Sequence, residues 1–204
     1  MKIHSLYLVL SAGILSVSSI FAQDPVRDDD INGDIAFGKS ELSAGDDLIF
    51  PIGDHSYTNA VDLILDNPKF TIFSKMLRET GLDTVLRSRD SITIFAPTDN
   101  AFEKYTEAEV AAMMKPSNRD KLNRLLGFHV LPTTLTAMML TEEVTAQTMI
   151  KDLKVDIRTR VDDGDVVLVV GGLAKVVAAD VKTKNGMIHA IDRVLFPADN
   201  KSES

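Results

Sequence analysis

Ile92-Thr93-Ile94-Phe95-Ala96-Pro97-Thr98-Asp99-Asn100-Ala101-Phe102 is the stretch on which the fold turns. Its first half mixes β-branched and aromatic residues and reads as a strand with one buried face. Pro97 has no N–H to give a neighbouring strand, so the strand is predicted to end there. Thr98, Asp99 and Asn100 carry short side-chain oxygens able to accept from the free N–H groups of a new helix. Glu103 follows Asn100 at capping-box spacing. Ala101 and Phe102 would turn an apolar face back onto the strand. The expectation is a strand–turn–helix corner.

Upstream of the corner the pattern is helical. Asn59 is placed to cap a helix over 60–66, with Val61, Ile64 and Leu65 on one face. Pro68 interrupts it. Phe70, Phe73, Met76 and Leu77 then restart the spacing as far as Gly81, a residue suited to the left-handed position that ends helices. Leu82, Val85 and Leu86 continue in helical register. Downstream, Thr106 with Glu109 forms a capping box ahead of Val110, Met113 and Met114, and Pro116 stops that helix. Ser117 with Asp120 is predicted to open another, with Leu122, Leu125 and Leu126 inward. Residues 127–132 should leave it in extended form, and 134–140 should make a short helix.

The last third is β-rich. Residues 154–159 alternate, 162–165 read as a turn, and 166–170 form an apolar strand. Gly171-Gly172 punctuates, and 174–181 runs on as a strand. Asn185-Gly186 fits a tight hairpin turn, in which both central residues take positive φ. Met187, His189, Ile191 and their neighbours return as the partner strand, expected to end at Pro197.

At the front, residues 1–22 read as a secretory signal: Lys2, an apolar run, then Ile20-Phe21-Ala22 before a polar stretch. No transmembrane segment is expected after its cleavage. Residues 23–56 form an acidic, mostly flexible lead-in, with 47–51 docking as an edge strand. Within it Asp28, Asp30, Asn32 and Gly33 imitate the start of a calcium loop. Lys39 stands where that loop needs its bidentate glutamate, so a solvated acidic linker is the better reading. Residues 198–204 are a polar tail.

The chain has 204 residues, 45% of them apolar, enough for one domain with a real core. Twenty-two lysines and arginines face 30 acids, a net charge of −8. That balance opposes nucleic-acid binding, which needs cations along the phosphates. The absence of cysteine removes disulfides, thiolate metal sites and cysteine nucleophiles. No nucleophile elbow, zinc-binding His-Glu-x-x-His or phosphate-cradling loop occurs. His55, His129 and His189 are widely spaced in the sequence, so no metal site and no cofactor is expected. His189 and Asp192, three apart in a strand, fall on opposite faces and make a poor catalytic pair. No enzymatic activity is expected.

Thr93, Phe95, Ala96, Pro97, Thr98, Asp99, Ala101 and Phe102 resemble the first signature box of the fasciclin domain family, with Asp99 where asparagine is usual. Phe128-His129-Val130-Leu131-Pro132 resembles that family's tyrosine–histidine motif, with Phe128 lacking the hydroxyl. Val177-Ala178-Ala179-Asp180-Val181, then Asn185, Gly186 and His189, then Ile191-Asp192 and Val194-Leu195-Phe196-Pro197, resemble its second box. The chain is similar to fasciclin-like secreted bacterial proteins. The resemblance implies a single α+β domain over 57–197, a wedge or sandwich of short β-strands packed with several helices.

It further implies a module for cell adhesion or extracellular interaction. The partner would be a cell-surface or matrix protein or a glycan, or a second copy of the chain. The location would be periplasmic, cell-surface or extracellular. In the family, adhesion contacts are associated with an Asp-Ile pair before the Asn-Gly turn and with the tyrosine–histidine motif. These map to Asp180-Val181 and Phe128-His129. Each has a structural alternative: His129 as a core histidine bonded to backbone, and Asp180 as a strand-end carboxylate accepting turn N–H groups. Some secreted family members carry small hydrophobic molecules such as carotenoids. Met113, Met114, Met138 and Met139 would then line an adaptable apolar groove, or else be ordinary core.

Overall fold

β1 (Ile92–Pro97) is buried along its whole length, and its two faces enter two different cores. The computed structural model describes residues 48–140, 143–162 and 165–197. The leader, the calcium-like stretch, most of the acidic lead-in and the polar tail lie outside the described residues. Before β1 come α1 (Ala60–Leu65), α2 (Thr71–Thr80) and α3 (Leu82–Arg87). After it come α4 (Glu107–Met113), α5 (Arg119–Phe128), β2 (Val130–Leu131), β3 (Val144–Gln147), β4 (Lys154–Asp162), β5 (Asp165–Val170), β6 (Ala174–Thr183) and β7 (Gly186–Ile191). The strands form one sheet in the order β2-β1-β7-β6-β5-β4-β3, parallel only between β1 and β7.

Ile92, Ile94 and Ala96 share a core with Ile188 and Ala190 of β7 and with the apolar faces of the helices, including Val61, Ile64, Phe73, Met76, Leu77 and Leu126. Phe95, pointing the other way as strand alternation requires, joins Leu131 and Ile191 in a second core. Val155 and Ile157 of β4, Val170 of β5 and Ala146 of β3 close that core. Strands from opposite ends of the sheet order thus pack face to face. The sheet folds over on itself, and an α+β domain results.

Several local signals perform as read. Asn59 Oδ1 accepts from the Val61 N–H at 3.1 Å, Gly81 takes φ 73° at the end of α2, and the Thr106–Glu109 capping box is complete. Others are corrected. Asp99 does not cap the turn it opens, which is only a 3-10 segment, Asp99–Phe102. Its carboxylate reaches the start of α2, accepting from the Thr71 and Ile72 N–H groups at 3.1 and 2.9 Å and from the Thr71 hydroxyl at 2.6 Å. Asn100 and Glu103 are joined only by a backbone bond. Asn118, rather than Ser117, stands at the start of α5 and makes no side-chain cap bond. That helix runs on through Phe128 instead of opening at Gly127, because Leu122, Leu125, Leu126 and Phe128 all find buried positions. Residues 48–51 form a bend and no strand, docked by Phe50 against the Phe70 ring at 5.2 Å.

The largest correction concerns Asn185-Gly186. Neither residue has positive φ; the β6–β7 turn is Lys184-Asn185, with Thr183 opposite Gly186. Glycine is needed for a different reason: a Cβ at 186 would collide with the Ile92 carbonyl oxygen of the parallel neighbour. Gly186→Ala should therefore cost at least about 3 kcal/mol in urea unfolding, because a backbone group cannot yield. Gly172→Ala, at φ 75° but with open space around it, should cost about 1–2 kcal/mol. Equal costs would contradict the close approach.

Candidate functional site

β6 departs from regular pairing between Ala178 and Val181, where a bulge carries Ala179 and Asp180. Asp180 takes φ 58°, the one positive φ among the described non-glycine residues. Aspartate tolerates this conformation better than most residues. Two bonds hold it. Its N–H donates to His189 Nδ1 at 3.2 Å, and its Oδ1 accepts the Ala137 N–H at 2.7 Å. Asp180 is thus in mid-strand at a bulge, not at a strand end, and its carboxylate is exposed. Val181 next to it is half-buried and paired with Ile188.

His189 is the hidden support of this corner. It is fully buried and stacks on Phe95 at 5.5 Å. Since Nδ1 accepts from Asp180, Nε2 carries the proton and donates to the Leu135 carbonyl at 3.0 Å. One ring therefore joins the β6 bulge to the segment that leads into the 3-10 helix Ala137–Leu140, whose Met138 and Met139 are 84% and 62% exposed. Asp192 does not meet His189 among these bonds; its Oδ1 accepts the Lys175 N–H at 2.7 Å.

Phe128 and His129 lie elsewhere, at the end of α5, and are 5% and 1% exposed. His129 Nδ1 donates to the Leu125 carbonyl at 2.8 Å, and Nε2 accepts the Leu195 N–H at 3.0 Å. Phe128 packs in the second core. The fold therefore does not bring Phe128-His129 and Asp180-Val181 to one surface; the first pair is interior and the second lies at the bulge. The four methionines are likewise dispersed. Met113 and Met114 pack on the helical core, and Met138 and Met139 project from the segment beside Asp180.

Both histidines are held neutral. Burial is the main cause, and it lowers His129 from 6.5 to about 4 against the opposing bond to Leu125. His189 is also lowered by burial, opposed by Leu135 and Asp180. Between these values the unfolded chain binds more protons, so stability is present above pH 6.5 and declines as pH falls toward 4. His129 alone should remove on the order of 2 kcal/mol between pH 7 and pH 5. Urea titrations at the two pH values test this, and His129→Gln should flatten the dependence. A wild-type chain equally stable at both would contradict it.

Among the described residues, no three His, Cys, Asp or Glu side chains gather as a metal-binding group, and no helix is long and apolar enough to cross a membrane. Sequence reasoning missed the Leu135–Ala137 contacts to His189 and Asp180, since nothing local couples residues so far apart. It also missed a groove of about 740 Å3 between α4 and α5, although Lys121 and Arg124 at helical spacing were a visible cue.

The sequence profile described as "Fasciclin domain" matches residues 68–197. Protein sll1483 of Synechocystis is 28% identical over 163 residues, 80% of this chain and 87% of that protein. Fasciclin-like arabinogalactan protein 17 of Arabidopsis thaliana is 28% identical over 145 residues, 69% of this chain and 31% of that one. The transforming growth factor-beta-induced protein ig-h3 of Oryctolagus cuniculus is 28% identical over 148 residues, 72% and 21% respectively. Among solved structures, a FAS1 domain pair from the insect cell adhesion molecule fasciclin I is similar with TM-score 0.50 and 25% identity, covering 60% of this chain and 43% of that chain. This chain thus spans most of the Synechocystis protein and under a third of the plant and rabbit ones.

Proposed function

This chain belongs to the fasciclin domain family, and from that premise we propose that it is an exported, non-enzymatic binding module for adhesion or protein interaction outside the cytoplasm. Its partner is a cell-surface or matrix protein or a glycan, and the contact is centred on Asp180-Val181. The observation that carries this reading is the presentation of Asp180. Its carboxylate is exposed on a bulge whose backbone is held in an unfavourable conformation by a buried histidine. Such conformations cluster at functional sites, where surrounding structure maintains them. Exposed Met138 and Met139 on the segment that Asp180 caps supply adaptable apolar surface beside the charge. Phe128 and His129 contribute from inside, by fixing the end of α5 rather than by touching the partner. The solved relative from an insect is a cell adhesion molecule, which favours binding over chemistry. The two buried histidines also favour it, because both ring nitrogens of each are committed to backbone groups.

The test is binding of labelled protein to the producing organism's own cells and matrix, with Asp180→Asn and Asp180→Ala beside the wild type. Asparagine keeps the tolerance for positive φ and the acceptor for Ala137 while removing the charge. Asp180→Asn should stay within about 0.5 kcal/mol of wild-type stability and lose at least ~10-fold in affinity. No saturable binding by the wild type, or unchanged binding by Asp180→Asn, would contradict the proposal.

A further inference from the structure

The groove between α4 and α5 combines an apolar floor with two basic side chains. Its apolar lining comes from Met113 of α4, Leu122 and Leu125 of α5, and Tyr105 against Phe196, whose rings lie 6.0 Å apart. At about 740 Å3 it falls within the ~300–1,000 Å3 common for small-molecule sites. Lys121 and Arg124 also line it, three residues apart and so on one side of α5. Both are exposed, and neither makes a hydrogen bond or ion pair with another described residue.

The lining holds one carboxylate against these two cations. Glu109 Oε2 accepts the Thr106 N–H and hydroxyl at 2.8 and 2.9 Å, so its oxygen is held at the start of α4. The lining therefore sets two cations against one carboxylate over an apolar trough, on a chain whose net charge is −8. We propose that this groove binds an amphipathic carboxylate, with its apolar chain along Met113, Leu122, Leu125 and Phe196 and its anionic end between Lys121 and Arg124. Met113 has the side-chain flexibility to accommodate chains of different shape. Arg124 offers a planar fork that matches a carboxylate, and Lys121 adds a mobile charge. This site uses no residue of the Asp180 corner and does not depend on the adhesion reading.

The probe is dansyl-undecanoate, followed by its emission on titration into the full chain, with its uncharged methyl ester in parallel. Saturable binding with blue-shifted emission is expected. The ester should bind at least ~10-fold more weakly, and Lys121→Ala/Arg124→Ala should weaken the acid by the same factor or more. Both side chains are exposed, so the double variant should keep the wild-type melting curve. Phe196→Asp should abolish binding, and Lys75→Ala, an exposed lysine on α2, should leave it unchanged. No saturable binding, equal affinity for acid and ester, or an unaffected double variant would overturn the proposal. So would binding that appears only when the chain is truncated after Pro197, which would assign the groove to the chain's own tail.

Discussion

The side-chain amide of Asn185 joins three segments that the chain reaches far apart. Its Oδ1 accepts the Ala60 N–H at 2.9 Å, at the start of α1. Its Nδ2 donates to the Leu86 and Arg89 carbonyls, at 3.2 and 2.9 Å, where α3 ends. Its own carbonyl accepts the Ile92 N–H at 3.2 Å and so begins the parallel pairing of β1 with β7. The residue is 6% exposed, and a buried polar group left without a partner costs about 1–3 kcal/mol. The buried Ala60 N–H depends on this amide, while the Leu86 carbonyl also accepts the Arg89 N–H at 3.2 Å and the Arg89 carbonyl belongs to an exposed residue. Parallel strands cannot be joined by a tight turn, so something other than local chain geometry must set where β1 meets β7. Asn185 does this, and Gly186 makes the contact sterically possible.

The two buried histidines repeat the device on the other parts of the fold. His129 bonds Leu125 within α5 to Leu195 beyond the sheet, and His189 bonds the β6 bulge to Leu135. In each case one neutral ring satisfies a backbone donor and a backbone acceptor. Among the described residues, no buried side-chain nitrogen or oxygen lacks a hydrogen-bond partner. The internal polar residues therefore specify which segments meet, while the apolar residues supply the bulk of the driving force. The consequence for function is placement. Rigid side chains behind the sheet hold Asp180 in an outward, unusual conformation without any covalent staple.

Much of this was legible in the sequence, and the failures share one cause. Strand β1, the stop at Pro97, the apolar faces of α1, α2 and α5, and the Thr106–Glu109 box follow from patterns a few residues long. Asp99 was recognisable as a helix-capping side chain, but the helix it caps begins at Thr71. Asn185-Gly186 was recognisable as special, yet the reason is a neighbouring strand rather than a turn with positive φ. The bulge at Asp180 carried no local glycine to announce it. Residue type reveals that a side chain has a bond to make; the partner comes from the fold.

The most direct test of this account is amide hydrogen exchange at Ala60 and Ile92 in the wild type and in Asn185→Ala, with urea unfolding of both. If Asn185 fixes the junction, both amides should lose protection together and global stability should fall by about 1–3 kcal/mol. If Ala60 alone exchanged faster, while Ile92 stayed protected and stability changed by less than about 0.5 kcal/mol, the junction would be set by apolar packing and the account would be wrong.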